Sequence, residues 1–275
     1  MKIAIQGVKA SFHDVASRRF FSSEKVIPVE CSTFRELCEV LMGKKADFAM
    51  MAIENSIAGS ILPNYSLLES FHFKIVGEVY LRIEMNLMAL PGQKVSELKF
   101  VQSHPMALFQ CEDFLHKYPA LEILEGSDTA ESAKNIKEKN LFKYGAIASQ
   151  LAAEIYNLEI LEKGIETNKQ NYTRFLVISR EAQDLTGANK SSLRFESPDS
   201  PGSLVKLLGI FSNHNINMTK IQSVPIFGRP YEYSFHVDLE WTDRKEYLSA
   251  LDEFKSNAVN LIHFGDYLRG DRPWI

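Results

Sequence analysis

The stretch "NKQNYTRFLVISR", residues 168–180, decides how the chain folds. Its second half, Phe175 to Ile178, is an unbroken apolar run and reads as a buried strand. It opens, however, on Asn171, Tyr172, Thr173 and Arg174. One reading is a loop entering a sheet, with the threonine a good strand former and the arginine solvated. The other is that the mouth of the strand belongs to a site. Two sets of strand–helix units precede it. "KIAIQG" leads into "SFHDVASRRFF", "KVIPVE" into "STFRELCEVLMGKKA", and "DFAMMAIEN" into "SILPNYSLLESF". After the apolar passage "KIVGEVYLRIEMNLMAL", "LKFVQS" leads into the helix "HPMALFQCEDFLHKY", "LEILEG" into "SDTAESAKNIKEK", and "YGAIAS" into "QLAAEIY". This alternation is α/β. With 168–180 as a strand returning to the first set, the second lobe is inserted within the first and a cleft runs between them. The expected lobes are approximately 1–78 plus 171–180, and 79–170, together forming a domain of residues 1–180.

Residues 180–192, "REAQDLTGANKSS", carry a glycine and no strand-like run, and read as a linker. Beyond them the order is strand, helix, strand, strand, helix, strand, the α+β ferredoxin-like βαββαβ unit, in a second domain of residues 191–275. Two domains suit a chain of 275 residues.

Apolar residues make up 45% and charged residues 24%, an ordinary globular balance. Lys and Arg number 31 against 35 Asp and Glu, a net charge of −4, and no basic cluster points to nucleic acid. The start lacks the apolar region of a secretory signal, no run approaches a membrane span, and the expected location is the cytoplasm. Cys31, Cys38 and Cys111 form no CxxC pair and read as reduced, small buried hydrophobes. The scattered histidines show no metal-ligand spacing.

Four strand-to-helix junctions carry small polar residues: Ser11, for which Asp14 completes a box-like helix start; Glu54, Asn55 and Ser56; Ser103, His104 and Pro105; and Ser127, Asp128 and Thr129. Helix N-termini present unpaired N–H groups, so junctions gathered at one cleft suit carboxylates. Capping alone explains any one of them. His104 reads as an acid or base, as a donor to an anion, or as a capping neighbour. Their joint occurrence is the informative feature.

Together these motifs resemble the prephenate dehydratase family over nearly the whole chain. The resemblance is carried by "GVKASFH", "IENSIAGS", "SHPMALFQC", "SDTAESAK", "GAIAS" and above all "NYTRF". The C-terminal part resembles an ACT regulatory domain through "ESPDSPGSLVKLL" and "NMTKIQSVPIFGRPYEYSFHVDLE". The resemblance implies a two-lobed, periplasmic-binding-protein-like catalytic domain and conversion of prephenate to phenylpyruvate in phenylalanine synthesis, with no cofactor and no metal. It implies an essential Thr173, donating a hydrogen bond to the departing hydroxyl or relaying a proton. Asn55, Ser56, Ser103, His104 and Thr129 are candidates for the substrate carboxylates. Alternation along the strand turns Arg174 to the face opposite Thr173, where it braces the site, unless a bulge brings it to the substrate. The ACT resemblance implies a phenylalanine effector site at Gly202, Ser203, Leu204, Val205, Gln222 and Ser223, and a homodimer or homotetramer.

The chain departs from the family pattern at several points. Ala52 stands where a proline is usual, Met106 where a glutamine is, and Ala10 where a glycine is, so that a backbone angle comfortable only to glycine would be resisted there. Gln222 and Val224 replace a glutamate and an arginine. Two rivals remain: arogenate dehydratase, whose substrate has an amino group for the keto group, and a non-enzymatic amino-acid sensor, which has no need of the Thr173 hydroxyl.

Overall fold

The apolar residues Ile3, Ala4 and Ile5 are completely buried at the centre of β1 (Lys2–Gln6), around which the first sheet of the computed structural model is built; the structure describes residues 1–183 and 186–274. The chain continues through α1 (Phe12–Phe20), β2 (Ile27–Cys31), α2 (Phe34–Met42), β3 (Phe48–Asn55), the short β4 (Gly59–Ser60), α3 (Leu62–Ser70) and β5 (Lys74–Arg82). β1 runs parallel to β2 and β3, as helical crossovers allow. The box expected at the start of α1 is half formed. Ser11 holds the N-cap position without a side-chain cap bond, and Asp14 accepts from the Ala10 N–H (2.8 Å), because the chain turns at Ala10 with φ 73°.

The apolar passage after α3 is not one strand. It leaves the first sheet at Arg82 and starts the second as β6 (Asn86–Ala89). There follow β7 (Phe100–Ser103), α4 (Pro105–Gln110), α5 (Glu112–Leu115), β8 (Glu122–Glu125), α6 (Thr129–Glu138), β9 (Tyr144–Ala148), α7 (Gln150–Tyr156) and β10 (Glu159–Glu162). The single helix expected after Ser103 is broken at Cys111, whose backbone (φ −109°, ψ 16°) leaves the helical region. The sheet order is β10-β6-β9-β7-β8, with β7 parallel to β8 and β9. Ala130, Ala133 and Ile136 of α6 pack on Ala146 and Ala148 of β9 in its core.

β11 (Tyr172–Ser179) then returns between β3 and β5, giving the first sheet the order β2-β1-β3-β11-β5. β11 thus returns the chain to the first sheet, and β5 runs across residue 78, where the lobe boundary was expected.

β12 (Lys190–Glu196), α8 (Ser203–Asn213), β13 (Asn217–Pro225), β14 (Tyr233–Glu240), α9 (Arg244–Asn257) and β15 (Val259–Tyr267) form an antiparallel sheet of order β13-β14-β12-β15, the expected βαββαβ unit. Leu193, Phe195, Phe211, Tyr247 and Phe254 fill its core. The last residues of the expected linker, Lys190 to Ser192, are strand, because Lys190 is buried with two carboxylates, Glu78 (2.9 Å) and Glu240 (3.3 Å). Asp184 and Leu185 of that linker lie outside the described residues.

The chain divides into two compact units: Met1–Ile61 with Val79–Phe175 and the residues from Arg272, and Leu62–Glu78 with Leu176–Asp271. The second unit therefore holds α3 and the start of β5 as well as the βαββαβ elements. Gly265 is needed within it: a Cβ there would lie 2.4 Å from the carbonyl oxygen of Ile75.

Candidate active site

Asn55 ends β3 and Thr173 is the second residue of β11, so adjacent strands of one sheet present both side chains at the same end. The Asn55 amide nitrogen donates to Thr173 Oγ1 (2.9 Å) and to Asn171 Oδ1 (2.8 Å), while its oxygen accepts from the N–H groups of Ile57 and Ala58 (both 2.9 Å). Those two backbone bonds fix the amide's orientation. A hydroxyl that accepts from an amide keeps its own hydrogen for donation, so the arrangement aims Thr173 as a donor. Thr173 is almost buried, at 8% exposure.

Asn171 passes the network on, its Nδ2 donating to Gln110 Oε1 (2.8 Å). Both residues are buried, and their bond ties the end of α4 to the mouth of β11. Gln110 and Asn171 lie inside the motifs quoted above but are not among the candidate site residues. The sequence signal was present: a glutamine among the apolar residues of α4, and an asparagine directly before a strand.

Ser56 is fully engaged with the backbone of the same segment. Its hydroxyl donates to Gln170 O (2.9 Å) and accepts from Tyr172 N (2.9 Å). Ser103 is buried at the end of β7 and donates to Ile147 O (2.6 Å), bracing β9. His104 is exposed, and its Nδ1 accepts from Met106 N (3.2 Å), the capping role, which leaves Nε2 outward for another partner. Thr129 begins α6 behind Asp128, whose Oδ1 accepts from the N–H groups of Ala130 (2.8 Å) and Glu131 (3.0 Å). Burial pushes the Asp128 carboxyl above the ordinary carboxylate range, against those two N–H bonds and the charge of His104.

The first loop reaches the same region. A Cβ at Gly7, which has φ 90°, would lie 2.7 Å from Asp128 Oδ2, so only glycine lets the two junctions approach this closely. Ala10 is held by Asp14 on its N–H and by Ser149 on its carbonyl (2.8 Å), and takes the left-handed angle that its side chain was expected to resist.

Arg174 lies where alternation requires, on the face opposite Thr173. Its guanidinium sits 5.9 Å from the centroid of the Tyr80 ring. The three cysteines are free and buried, and burial pushes their thiols up to about 11 for Cys31 and about 12 for Cys38 and Cys111. Among the described residues no group of three or more His, Cys, Asp or Glu side chains is placed to hold a metal, and no helix is long and apolar enough to cross a membrane.

Gly202 turns the chain into α8 with φ 79°, followed by Ser203, whose hydroxyl donates to Pro198 O (2.6 Å), by the half-buried Leu204 and by Val205, which is 75% exposed. Gln222 and Ser223 lie on β13, at the edge of its sheet.

A family model described as prephenate dehydratase matches residues 3–183, and one described as the ACT domain matches 191–258. The chain belongs to the prephenate dehydratase family. A curated relative from Aquifex aeolicus (strain VF5), named bifunctional chorismate mutase/prephenate dehydratase, is 37% identical over 273 residues, covering 97% of this chain and 73% of its own length. One from Arabidopsis thaliana, named arogenate dehydratase/prephenate dehydratase 2, chloroplastic, is 36% identical over 98% of this chain and 71% of its own. Among solved structures, one described as a prephenate dehydratase in complex with L-Phe from Arthrobacter aurescens superposes with a TM-score of 0.86 at 26% identity, covering 98% of this chain and 90% of that one. Another, described as "GqqA- a novel type of quorum quenching acylases", gives a TM-score of 0.88 at 29% identity, covering 100% of this chain and 99% of that one. These full-length superpositions bear out the two-lobed catalytic domain with its C-terminal ACT domain.

Proposed function

We propose that this member of the prephenate dehydratase family converts prephenate to phenylpyruvate, with Thr173 donating a hydrogen bond to the hydroxyl that leaves. The observation that carries the reading is the Asn55–Thr173 bond, whose direction reserves the threonine hydrogen for a ligand at the strand mouth. As the ring carboxylate departs as carbon dioxide, the electron pair of its C–C bond enters the ring, the ring becomes aromatic, and the C–O bond breaks. The oxygen leaves as water after taking one proton. Aromatisation supplies much of the driving force, so the protein supplies orientation and a donor for the developing hydroxide. Thr173 makes that bond or relays the proton.

In this reading Asn55, Asn171 and Gln110 position Thr173. His104, through Nε2, and Thr129 with the first turn of α1 face the substrate carboxylates; the α1 N-terminus, lacking a side-chain cap bond, keeps N–H groups for an anion. Ser56 and Ser103, whose hydroxyls serve backbone groups, shape the walls. Arg174 braces the strand. The ACT domain takes L-phenylalanine near Gly202–Val205 and Gln222–Ser223, and a second copy pairs along the β13 edge to give a homodimer or homotetramer. Gln222 and Val224, standing where a charged pair is usual, weaken that effector's hold.

The test is phenylpyruvate formation from prephenate by the purified chain, with arogenate and an acylase assay in parallel, beside Thr173→Val. The expected result is turnover of prephenate that falls at least about a hundredfold in the variant, the lower end of what proton transfer contributes, with substrate binding retained. Turnover of arogenate alone would change the substrate. Binding without turnover of either, unchanged by Thr173→Val, would leave the sensor.

A further inference from the structure

Trp274 follows β15 by seven residues and stands 48% exposed, which the packing of a core does not explain. Its ring meets two others. It packs edge-on against Tyr80, centroids 5.1 Å apart at 88°, and tilted against Tyr172, centroids 4.9 Å apart. Tyr172 is the residue before Thr173. Tyr80 carries the guanidinium of Arg174, the residue after it. On one face of β11, therefore, both neighbours of Thr173 are held by the Trp274–Tyr80 pair, while Thr173 itself is held on the other face by Asn55. A hydroxyl fixed by one hydrogen bond is only as well placed as the backbone that carries it.

The segment that delivers Trp274 is stiff. Pro273 fixes its own φ and restricts Arg272 to extended backbone. Upstream, Arg269 is paired with Glu240 (3.4 Å), and the Gly270 N–H donates to Glu78 Oε1 (3.1 Å), the carboxylate that also holds Lys190 of β12. Three residues of chain, Asp271 to Pro273, lie between that anchor at Gly270 and the ring of Trp274.

We propose that Trp274 is a positioning residue for Thr173, and that the segment after β15 makes the placing of that hydroxyl depend on the ACT sheet. The catalytic half of this inference rests on the function proposed above.

The test uses the full chain with Trp274→Ala and Trp274→Phe. The expected result for Trp274→Ala is a kcat about tenfold lower, since small misplacements at a reacting centre cost large factors, with KM within twofold. Trp274→Phe restores most of the loss, and adding Trp274→Ala to Tyr172→Ala lowers kcat less than twofold further. The fold-inhibition by phenylalanine shrinks in Trp274→Ala. Hydrogen exchange supplies a readout independent of turnover: the amides of residues 172–175 exchange faster in Trp274→Ala while those of β1 and β2 keep their protection. Unchanged exchange at 172–175 would overturn the positioning role whatever the chain acts on. An unchanged kcat, or a loss that phenylalanine does not rescue at position 274, would overturn its link to Thr173. Inhibition that keeps its full size in Trp274→Ala would overturn the dependence on the ACT sheet. Failure of the unmutated chain to turn over prephenate would strike the proposed function and leave the exchange result standing on its own.

Discussion

Ala10 turns with φ 73° and no exposed surface, between the Asp14 carboxylate on its N–H and the Ser149 hydroxyl on its carbonyl. A left-handed angle costs a residue with a Cβ roughly 1–2 kcal/mol. Two opposing effects offset that strain: the buried methyl, worth somewhat under ~1 kcal/mol, and the extra freedom a glycine brings to the unfolded chain, worth a similar amount. Ala10→Gly is therefore expected to shift stability by less than about 1 kcal/mol. Ala10→Val, branched at Cβ and larger in a packed site, is expected to cost about 3 kcal/mol. Urea unfolding of the two variants beside the parent checks both, and a destabilisation by Val no larger than that by Gly would show that the angle relaxes. The departure from glycine at this position is thus absorbed by its neighbours and leaves the first loop in contact with the α7 N-terminus.

At the scale of elements, α1 and β14 each bury a histidine among aromatic rings. His13 lies between Phe34 (5.5 Å) and Phe175 (5.0 Å), and its Nε2 accepts from Ala52 N (3.4 Å). That N–H exists only because Ala52 is not proline. His236 lies between Tyr65 (4.7 Å) and Phe264 (5.8 Å). Burial pushes both down to about 3, with Arg194 and Lys220 adding to the effect at His236 and Asp238 opposing it. A base whose folded value lies below its unfolded value of about 6.5 stabilises the fold above that pH. The contribution drains away as pH falls from about 6.5 toward 3, because the unfolded chain takes up the proton first. Between pH 7 and pH 5 each histidine is expected to remove about 2 kcal/mol. His236→Phe, which keeps the stacking and cannot titrate, should roughly halve the loss in urea midpoint between those two values. A loss of unchanged size would mean that His236 is protonated in place. Neither histidine was legible as buried among rings from the sequence, since helical and strand periods mark an apolar face and say nothing of which ring lies opposite.

Across the whole molecule, the longest reach belongs to polar pairs buried far apart in sequence. Lys190 has 1% of its side chain exposed and is held by Glu78 and Glu240. Removing the cation leaves two buried carboxylates, so Lys190→Met is expected to cost about 3–5 kcal/mol, whereas adding Glu78→Gln and Glu240→Gln should recover much of it. Denaturant unfolding of the single and triple variants decides; equal stabilities would mean that water already reaches the triad. This cluster also explains why residues 190–192 are strand although their composition reads as linker: a lysine and two serines are poor strand formers on their own, and their partners lie far along the chain, 112 positions away for Lys190 with Glu78 and 46 for Ser192 with Asp238.

Most strands and helices, the βαββαβ unit and the polar junctions were legible along the chain, because periodicity, capping and turn chemistry act over a few residues. The polar opening on an apolar strand marked Asn171 to Arg174 together, and the resemblance of "NYTRF" to the family's motif singled out Thr173 among them. Which groups hold that threonine and which merely cap followed from packing between distant segments. The bonds of Asn55 to Thr173 and of Asn171 to Gln110 join residues 118 and 61 positions apart, and Trp274 meets Tyr80 and Tyr172 from beyond the last strand. A buried donor is satisfied by whatever the packed fold brings within about 3 Å, and no local pattern along the chain specifies that partner.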